Sequence, residues 1–224
     1  TKTFDIIKKN SFVLDLGCKK GELGAYLKKM DCHIVGVDKE KELEKNRLDE
    51  YVSFDLDKGL PNLNYKNFDY IIILDVIEHL LRPEKFMHEL KNKISSNTKV
   101  KILISTPNVA FIVIRLMLLI GFFNYGKKGI LDRTHTRLFT FSSFKNLVEQ
   151  FGFSITRTYG IPAPFPLVFG NNIIGKILIL INSYLIKISK RLFSYQIYNE
   201  IEPDVSLETL LSRANINTKI YNEF

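Results

Sequence analysis

The residues best suited to chemistry lie near the start of the chain, in a glycine-rich turn. An apolar run that begins at Phe12 leads into Asp15, Gly17 and Gly21, after which the residues favour a helix. Glycine lets the backbone approach a ligand closely, and the free N–H groups of a first helical turn favour polar or anionic ligand groups. The stretch therefore predicts a strand, a tight turn and a helix that form a binding corner.

This corner does not carry the dinucleotide-binding fingerprint GxGxxG. Counting from Gly17, Lys19 and Glu22 stand where the second and third glycines of that fingerprint belong. The sequence therefore disfavours a nicotinamide-dependent oxidoreductase.

A second group of residues could move protons. Asp75, Glu78 and His79 fall together after an apolar run, and His135 lies in a basic loop. A histidine with a pKa near neutrality can take a proton from a substrate hydroxyl, so His135 is the candidate catalytic residue. The alternative is that His135 only hydrogen-bonds its loop to the sheet.

The elements that must position these residues alternate between strands and helices in the first half of the chain. The pattern predicts strands at 12–16, 33–38, 51–55, 68–74 and 100–105, with helices at 21–30, 39–50 and 84–94. The fourth strand is almost entirely apolar, which is typical of a strand buried on both faces. This alternation predicts a doubly wound α/β fold with a parallel sheet.

The second half of the chain is less regular. It predicts a polar loop at 126–137, a helix at 142–151, a strand at 153–159, an extended linker at 161–166, a long helix at 172–191 and a last strand at 192–201. Gly152 stands where a helix C-cap belongs. We interpret residues 1–203 as one domain in which 109–137 and 161–191 are insertions on the substrate side, and 204–224 as a polar tail.

The glycine corner resembles motif I of class I S-adenosylmethionine-dependent methyltransferases, in which an acid precedes three alternating glycines. Asp15, Gly17 and Gly21 match the motif, whereas Lys19 replaces the middle glycine. Residues 74–80 resemble the motif that follows the family's fourth strand, and residues 106–108 resemble the one after the fifth. The resemblance covers residues 10–203 and implies a Rossmann-like sheet of seven strands in the order 3-2-1-4-5-7-6, with the last strand antiparallel.

The same resemblance implies S-adenosylmethionine as the cofactor and a set of residues that bind it. Asp38 would hold the ribose hydroxyls, and Asp55 would meet the adenine amino group. The implied cofactor-binding residues are Asp15, Gly17, Cys18, Gly21, Asp38, Asp55, Leu74 and Asp75. Each has a structural alternative: the glycines could serve strand–helix packing, and Asp38 could be a helix cap.

Within that superfamily, the chain looks similar to small-molecule methyltransferases of the ubiquinone-biosynthesis and methionine-biosynthesis-W-like type. Residues 129–140, 151–153 and 192–196 carry a likeness to a subgroup associated with bacterial cell-surface glycosyltransferases. This implies methyl transfer to a small-molecule or lipid- or sugar-linked acceptor in cell-surface glycan or lipid biosynthesis, by a protein that is fused to or works with a glycosyltransferase. The alternative is a non-catalytic Rossmann-like module that docks a glycosyltransferase to the membrane or to a partner.

A metal site is a further alternative for Asp75, Glu78 and His79, with His135 as a later partner. Some relatives bind a divalent metal with an E-x-x-E-H motif and a later histidine, but two carboxylates with two imidazoles suit neither Mg²⁺ nor Zn²⁺ well. We therefore predict no metal, and expect Glu78 and His79 to orient the turn beside the cofactor.

Charge and hydropathy indicate where the protein works. The 224 residues carry a net charge of +8 and two cysteines, with no nucleic-acid motif, and favour a cytoplasmic protein that does not bind nucleic acid. The chain begins with Thr, so we expect it to be part of something longer. The apolar segments 109–123 and 173–188 are too short to span a bilayer, because fifteen helical residues cover only about 22 Å. The second segment carries a narrow stripe with Lys176 and Lys187, which predicts either a helix lying at the inner face of the membrane or a cap over the fold.

Overall fold

The computed structural model describes residues 2–40, 47–94, 99–170 and 172–204. Its helices are α1 (Lys2–Ile6), α2 (Glu22–Lys28), α3 (Pro83–Lys93), α4 (Ile112–Leu119), α5 (Phe141–Gln150), α6 (Phe165–Phe169), α7 (Ile173–Ile188) and α8 (Lys190–Phe193). Its strands are β1 (Phe12–Leu16), β2 (His33–Asp38), β3 (Glu50–Ser53), β4 (Tyr70–Leu74), β5 (Lys101–Pro107), β6 (Phe153–Ile161) and β7 (Gln196–Pro203).

The seven strands form one sheet in the order β3-β2-β1-β4-β5-β7-β6. The pairs from β3 to β5 are parallel, and β7 runs antiparallel to both β5 and β6. The predicted Rossmann-like seven-stranded sheet with an antiparallel last strand is therefore confirmed.

The ends of several elements differ from the predictions. β5 continues to Pro107 rather than ending at Ser105, because β7 pairs with it as far as Pro107 opposite Gln196. The predicted linker at 161–166 is wrong at both ends, since Ile161 belongs to β6 and Phe165 begins α6. The predicted helix at 172–191 is interrupted at Ser189, whose extended backbone separates α7 from α8.

Two predicted segments fall partly outside the described residues. Residues 41–46 of the predicted helix at 39–50 are not described, and Glu50 is the first residue of β3 rather than the end of a helix. Of the predicted tail at 204–224, only Asp204 is described, and its N–H donates to the carbonyl of Gly152 (2.9 Å).

The core is divided by the sheet, because successive strand residues point to opposite faces. Leu14, Ile71 and Ile73 pack on the side that carries α3 and α5, whereas Val13 and Ile72 pack on the side that carries α2. A third, smaller cluster joins α4 to the second insertion; it includes Phe111, Ile114, Ile130, Leu131 and Ala163.

One edge of the sheet collects the residues predicted to be functional. β1, β2, β4 and β5 all end at this edge, and β6 ends there too, since it runs antiparallel to β7. The glycine turn and both insertions therefore start from the carboxyl edge, where open α/β sheets bind their ligands. Among the described residues, no helix is long and apolar enough to cross a membrane.

Candidate functional site

The glycine turn after β1 is held by the neighbouring strand β2. The N–H groups of Gly17 and Cys18 both donate to the carbonyl of Val37, at 2.7 and 3.1 Å. Gly17 and Gly21 have φ of +84° and +70°, in the left-handed region that side chains disfavour. α2 begins directly after Gly21. The turn therefore brings its backbone to the carboxyl edge of the sheet.

Lys19, which replaces the motif's middle glycine, keeps a glycine-like backbone. Its φ is +47°, a conformation that costs a non-glycine residue about 1–2 kcal/mol. Its N–H donates to Oδ2 of Asp38 at 2.8 Å, a charge-assisted hydrogen bond that offsets this cost. The turn is therefore built without the glycine.

Asp38, at the end of β2, organises this region. Its Oδ1 accepts the N–H of Glu40 at 3.0 Å while its Oδ2 holds Lys19, and the side chain is nearly buried. The hydroxyl of Tyr51 donates a hydrogen bond to the backbone carbonyl of Asp38 and so holds the same end of β2. The structural alternative for Asp38, a backbone cap, is thus present whatever else the carboxylate binds.

Two adjoining cavities of about 340 Å³ each open at the turn and share Gly17, Lys19 and Glu40. The first is lined by the predicted residues Gly17, Asp38, Asp55 and Asp75, and the second by Asp15, Gly17, Cys18 and Leu74. Gly21 lines neither cavity. The structure therefore gathers seven of the eight predicted cofactor residues around one space.

Asp55 also has a local structural role. It caps the 3₁₀ turn Leu56–Lys58, with Oδ1 accepting the N–H of Asp57 at 3.2 Å. Sequence reasoning missed Phe54, Val76 and Leu80, which form apolar parts of the first cavity. The only signal for them was their closeness in sequence to predicted site residues.

Asp75 is fixed by partners from distant parts of the chain. Its φ is +53°, and its Oδ1 accepts hydrogen bonds from the hydroxyl of Ser105 (3.0 Å) and from the side-chain amide of Gln196. Gln196 begins β7, which lies beside β5. No motif in the sequence linked Gln196 to the site.

Glu78, His79 and His135 also come together. One ligand atom from each lies within 4.8 Å of the others, and the two imidazole rings are 4.7 Å apart. His79 lines the first cavity, whereas His135 does not. The predicted catalytic residue is therefore one side chain removed from the cavity, and His79 is a site residue that the sequence had indicated only as an orienting group.

The hydrogen bonds of the two rings indicate which nitrogen of each ring carries the proton in the neutral form. Nδ1 of His79 lies 3.1 Å from the carbonyl of Thr134, and Nδ1 of His135 lies 2.9 Å from that of Ile130. A carbonyl can only accept, so each Nδ1 carries a proton, and the neutral form of each ring has its lone pair on Nε2. Burial lowers the pKa of His79, which favours this neutral form.

Glu78 is buried, and among the described residues neither of its carboxylate oxygens has a hydrogen-bond partner. Burial, and secondarily the charge of Asp75, raises the pKa of Glu78 to about 8. Its backbone carbonyl accepts from the N–H groups of Thr136 and Arg137, so the loop that carries His135 is tied to this turn.

Comparison with known proteins identifies the fold and the family. A family model described as a methyltransferase domain matches residues 1–158. The chain belongs to this methyltransferase family. The match favours an enzyme over the non-catalytic module considered above, and the protein is an S-adenosylmethionine-dependent methyltransferase.

Solved structures share the fold of this methyltransferase at low sequence identity. A SAM-dependent methyltransferase from Archaeoglobus fulgidus is 22% identical with a TM-score of 0.62, over 91% of this chain and 90% of that one. One from Methanosarcina mazei is 9% identical with a TM-score of 0.61, over 92% and 98%. A 1,6-didemethyltoxoflavin-N1-methyltransferase from Burkholderia thailandensis, solved with S-adenosylhomocysteine, is 12% identical with a TM-score of 0.55, over 88% and 72%. A search of curated proteins found no significant match.

The residues of the methyltransferase fit its cofactor. S-adenosylmethionine carries a positive sulfonium and an ammonium group, and the cavities present the carboxyl groups of Asp15, Asp38, Asp55 and Asp75. Gly17 lines both cavities, and a Cβ built on it would lie 2.3 Å from Cγ2 of Val76, which lines the first. A side chain at this position would therefore displace the wall of the first cavity.

Asp15 should make cofactor binding pH-dependent. Burial, with a smaller contribution from Asp38, raises the pKa of Asp15 to about 7. A nearby cation favours the carboxylate form, so affinity for S-adenosylmethionine should increase from pH 6 to pH 8, by at most about tenfold per pH unit below the pKa. Calorimetric titration at pH 6, 7 and 8 measures this change.

The control is Asp15→Asn, which should bind more weakly at pH 8 and show only the titration of the ligand itself. Equal pH profiles for the two proteins would contradict the role of Asp15. The effect of pH on the stability of the free protein has the opposite sign to its effect on cofactor affinity. The pKa of Asp15 in the folded state lies above the ordinary 3.8, so this carboxyl destabilises the free protein increasingly between about pH 4 and pH 7.

Proposed function

We propose that this methyltransferase methylates a hydroxyl group of a small molecule, or of a sugar- or lipid-linked acceptor. The observation that carries the proposal is the imidazole pair of His79 and His135 at the cofactor cavity. A general base is useful when the acceptor is a hydroxyl, because that group must lose a proton as it is methylated.

The chain's own residues have two tasks in this reaction. The bound cofactor supplies a methyl group that is already activated on a positively charged sulfur. The protein must align the acceptor oxygen with that methyl group and take up the hydroxyl proton. His79 lines the cavity and His135 packs edge-on against it, so the pair provides Nε2 lone pairs for the proton. The carbonyls of Thr134 and Ile130 hold both rings in the required tautomer.

The proposed acceptors belong to cell-surface glycan or lipid biosynthesis, in which the enzyme would be fused to or work with a glycosyltransferase on the cytoplasmic side of the membrane. The likeness of residues 129–140 to glycosyltransferase-associated methyltransferases supports this, and the structure places those residues next to His79 through Thr134. The name of the Burkholderia thailandensis neighbour likewise indicates a small-molecule acceptor for that protein.

Tritiated methyl groups test the acceptor class. The protein is incubated with labelled S-adenosylmethionine and a bacterial extract, and the extract is then divided into aqueous metabolites, organic lipids, protein and nucleic acid. We expect label in the aqueous or the organic fraction. Label confined to protein or nucleic acid would overturn the proposal.

His135→Ala should lower turnover on the labelled fraction by up to about a hundredfold, the lower end of a general base's contribution, because His135 acts through the His79 ring that lines the cavity. Affinity for the cofactor should change far less, because His135 does not line the cavity. Turnover, calorimetric affinity and melting temperature are measured on the same preparation.

The matched variant is His135→Gln, whose amide can donate to the Ile130 carbonyl but cannot take up a proton. Restored turnover in this variant would show that His135 is structural.

A chelator tests the alternative that these residues bind a metal ion. Turnover should survive dialysis against EDTA. A loss of turnover that Mg²⁺ or Zn²⁺ reverses would instead show that Glu78, His79 and His135 bind a cation.

A further inference from the structure

The outward side of α7 is apolar, which is unusual for a helix on a protein surface. Six large apolar side chains on this side are between 48% and 74% exposed: Ile173, Ile177, Leu180, Ile181, Tyr184 and Ile188. They recur at helical spacing, so they form one continuous face. Lys176 and Lys187 lie along one margin of this face and are also exposed.

A polar side chain fixes which way this helix faces. Asn182 is 5% exposed; its Oδ1 accepts the N–H of Ala163 and its Nδ2 donates to the carbonyl of Phe193, both at 2.9 Å. Gly175 lies on the same inward side, where a Cβ would come within 2.8 Å of the Gly170 carbonyl. Turning the apolar face inward would break both Asn182 hydrogen bonds and place a large side chain at this contact. The outward apolar face is therefore part of the fold.

The first insertion exposes a second apolar surface. Val113, Leu116, Leu118, Leu119, Ile120 and Phe122 are between 48% and 81% exposed on α4 and just after it. Ile114 of α4 and Ala163, which holds Asn182, belong to the same buried cluster, so both surfaces flank one cluster at the carboxyl edge of the sheet. We call the two surfaces together the apolar platform.

The charge of the two segments is one-sided. Residues 109–131 and 161–195 contain seven Lys or Arg residues and no Asp or Glu, although the whole chain has 24 acidic residues. The basic residues are Arg115, Lys127, Lys128, Lys176, Lys187, Lys190 and Arg191, and all are exposed. A second copy of the chain would bring the same positive charges face to face. An anionic surface complements them.

We infer that the apolar platform docks the enzyme on an anionic lipid membrane. A helix that combines large apolar side chains with lysines and lacks acids lies in the bilayer interface, its apolar side among the acyl chains and its lysines at the phosphates. The 16 residues of α7 extend about 24 Å along such a surface. Because the platform and the cofactor cavities share the carboxyl edge, docking brings the site to acceptors held in the membrane. This last step rests on the proposed function.

Vesicle sedimentation with the full chain tests the inference. We expect wild-type protein to pellet with phosphatidylglycerol vesicles at low salt, to pellet less with phosphatidylcholine vesicles, and to be released by high salt. The triple variant Lys176→Glu, Lys187→Glu and Lys190→Glu should lower the partition coefficient at least about tenfold. The double variant Leu180→Ser and Tyr184→Ser should also lower it; both side chains are more than half exposed, so folding should be unaffected.

The matched control reverses three lysines near the opposite edge of the sheet, Lys8, Lys9 and Lys66, which precede β1 and β4 and are exposed. It makes the same change in net charge. When the two triple variants are compared at about 0.1 M salt, where the Debye length is about 10 Å, the control should leave vesicle binding within about twofold of wild type. Equal loss in both triple variants would reduce the effect to net charge and overturn the inference.

Two other results would also overturn it. Wild-type protein that stays in the supernatant with anionic vesicles at low salt excludes a lipid surface. A dimer in sedimentation velocity that Leu180→Ser disperses would assign the platform to a second copy. Titration of the same samples with S-adenosylmethionine distinguishes a failure of membrane docking from a failure of the proposed function. A variant that only loses docking still binds the cofactor.

Discussion

Gly17→Val abolishes binding of S-adenosylmethionine, if the cavities at the glycine turn hold the cofactor. A Cβ at this position would lie 2.3 Å from Cγ2 of Val76, and the residue has a φ of +84°. A valine must therefore push Val76 aside, move the turn, or both, and either shift changes the wall of the first cavity, which Gly17 and Val76 both line. Calorimetric titration with S-adenosylmethionine and S-adenosylhomocysteine should show no heat in either case.

The matched control is Gly121→Val, which separates backbone strain from loss of the site. Gly121 has a φ of +82° and no atom within 4 Å of its ideal Cβ, so the variant carries the strain without the collision. It should lower the melting temperature but keep wild-type affinity. Wild-type affinity in Gly17→Val would show that the cofactor binds elsewhere.

A second pair of variants distinguishes an occupied site from an unfolded turn. Gly17→Ala should be destabilised, and adding Val76→Ala should recover part of the melting temperature because it removes the atom that the new Cβ meets. Cofactor affinity should stay low in the double variant, since a φ of +84° remains unfavourable for alanine and Val76, a wall residue of the first cavity, has been shortened. Recovery of both quantities together would mean that Gly17 serves packing alone.

The fold and the position of the site could be predicted because they follow from local patterns. β1 and β2 begin and end at the predicted residues, since each is an apolar run bounded by polar or glycine residues. In a parallel sheet the strand ends share an edge, so predicting the strands also brings Gly17, Asp38 and Asp75 together. The order of the strands came from the family resemblance, not from these patterns.

What could not be predicted depends on contacts between distant residues. Gln196 reaches Asp75 only because β7 inserts between β5 and β6, and no spacing in the sequence records that contact. His79 lines the cavity while His135 packs behind it, although the sequence favoured His135 as the base and His79 as an orienting group. The direction of α7 depends on Asn182 and two backbone groups, which an apolar run does not reveal.

A departure from a motif can also lead to a wrong conclusion, and motif I is an example. Lys19 appears at a position where the family has glycine, which suggests a damaged site. The structure keeps the glycine-like φ and stabilises it with a hydrogen bond from Lys19 N–H to Asp38. A motif describes backbone conformations, and a strong local partner can supply one that the residue type disfavours.

That hydrogen bond makes Asp38 the most informative residue to change. Asp38→Ala removes the acceptor for the N–H groups of Lys19 and Glu40 and, on the predicted role, the partner of the cofactor's ribose hydroxyls. A hydrogen bond to a charged group contributes about 1.5–3 kcal/mol, so affinity for S-adenosylmethionine should fall about tenfold to a hundredfold. The chain should remain folded with a lower melting temperature.

The control variant Asp49→Ala separates the loss of the cofactor contact from the loss of backbone hydrogen bonds. Asp49 precedes β3 and supports the other end of β2, with one oxygen accepting the N–H of Ile34 at 2.8 Å and the other paired with Lys28 at 2.8 Å. The Asp49→Ala variant therefore loses a comparable backbone contact far from the cavities. It should have a lower melting temperature and an unchanged affinity for S-adenosylmethionine. If Asp38→Ala also keeps wild-type affinity, the carboxylate only holds the turn. A loss of affinity in Asp38→Ala alone, with similar melting temperatures in both variants, would assign it to the cofactor.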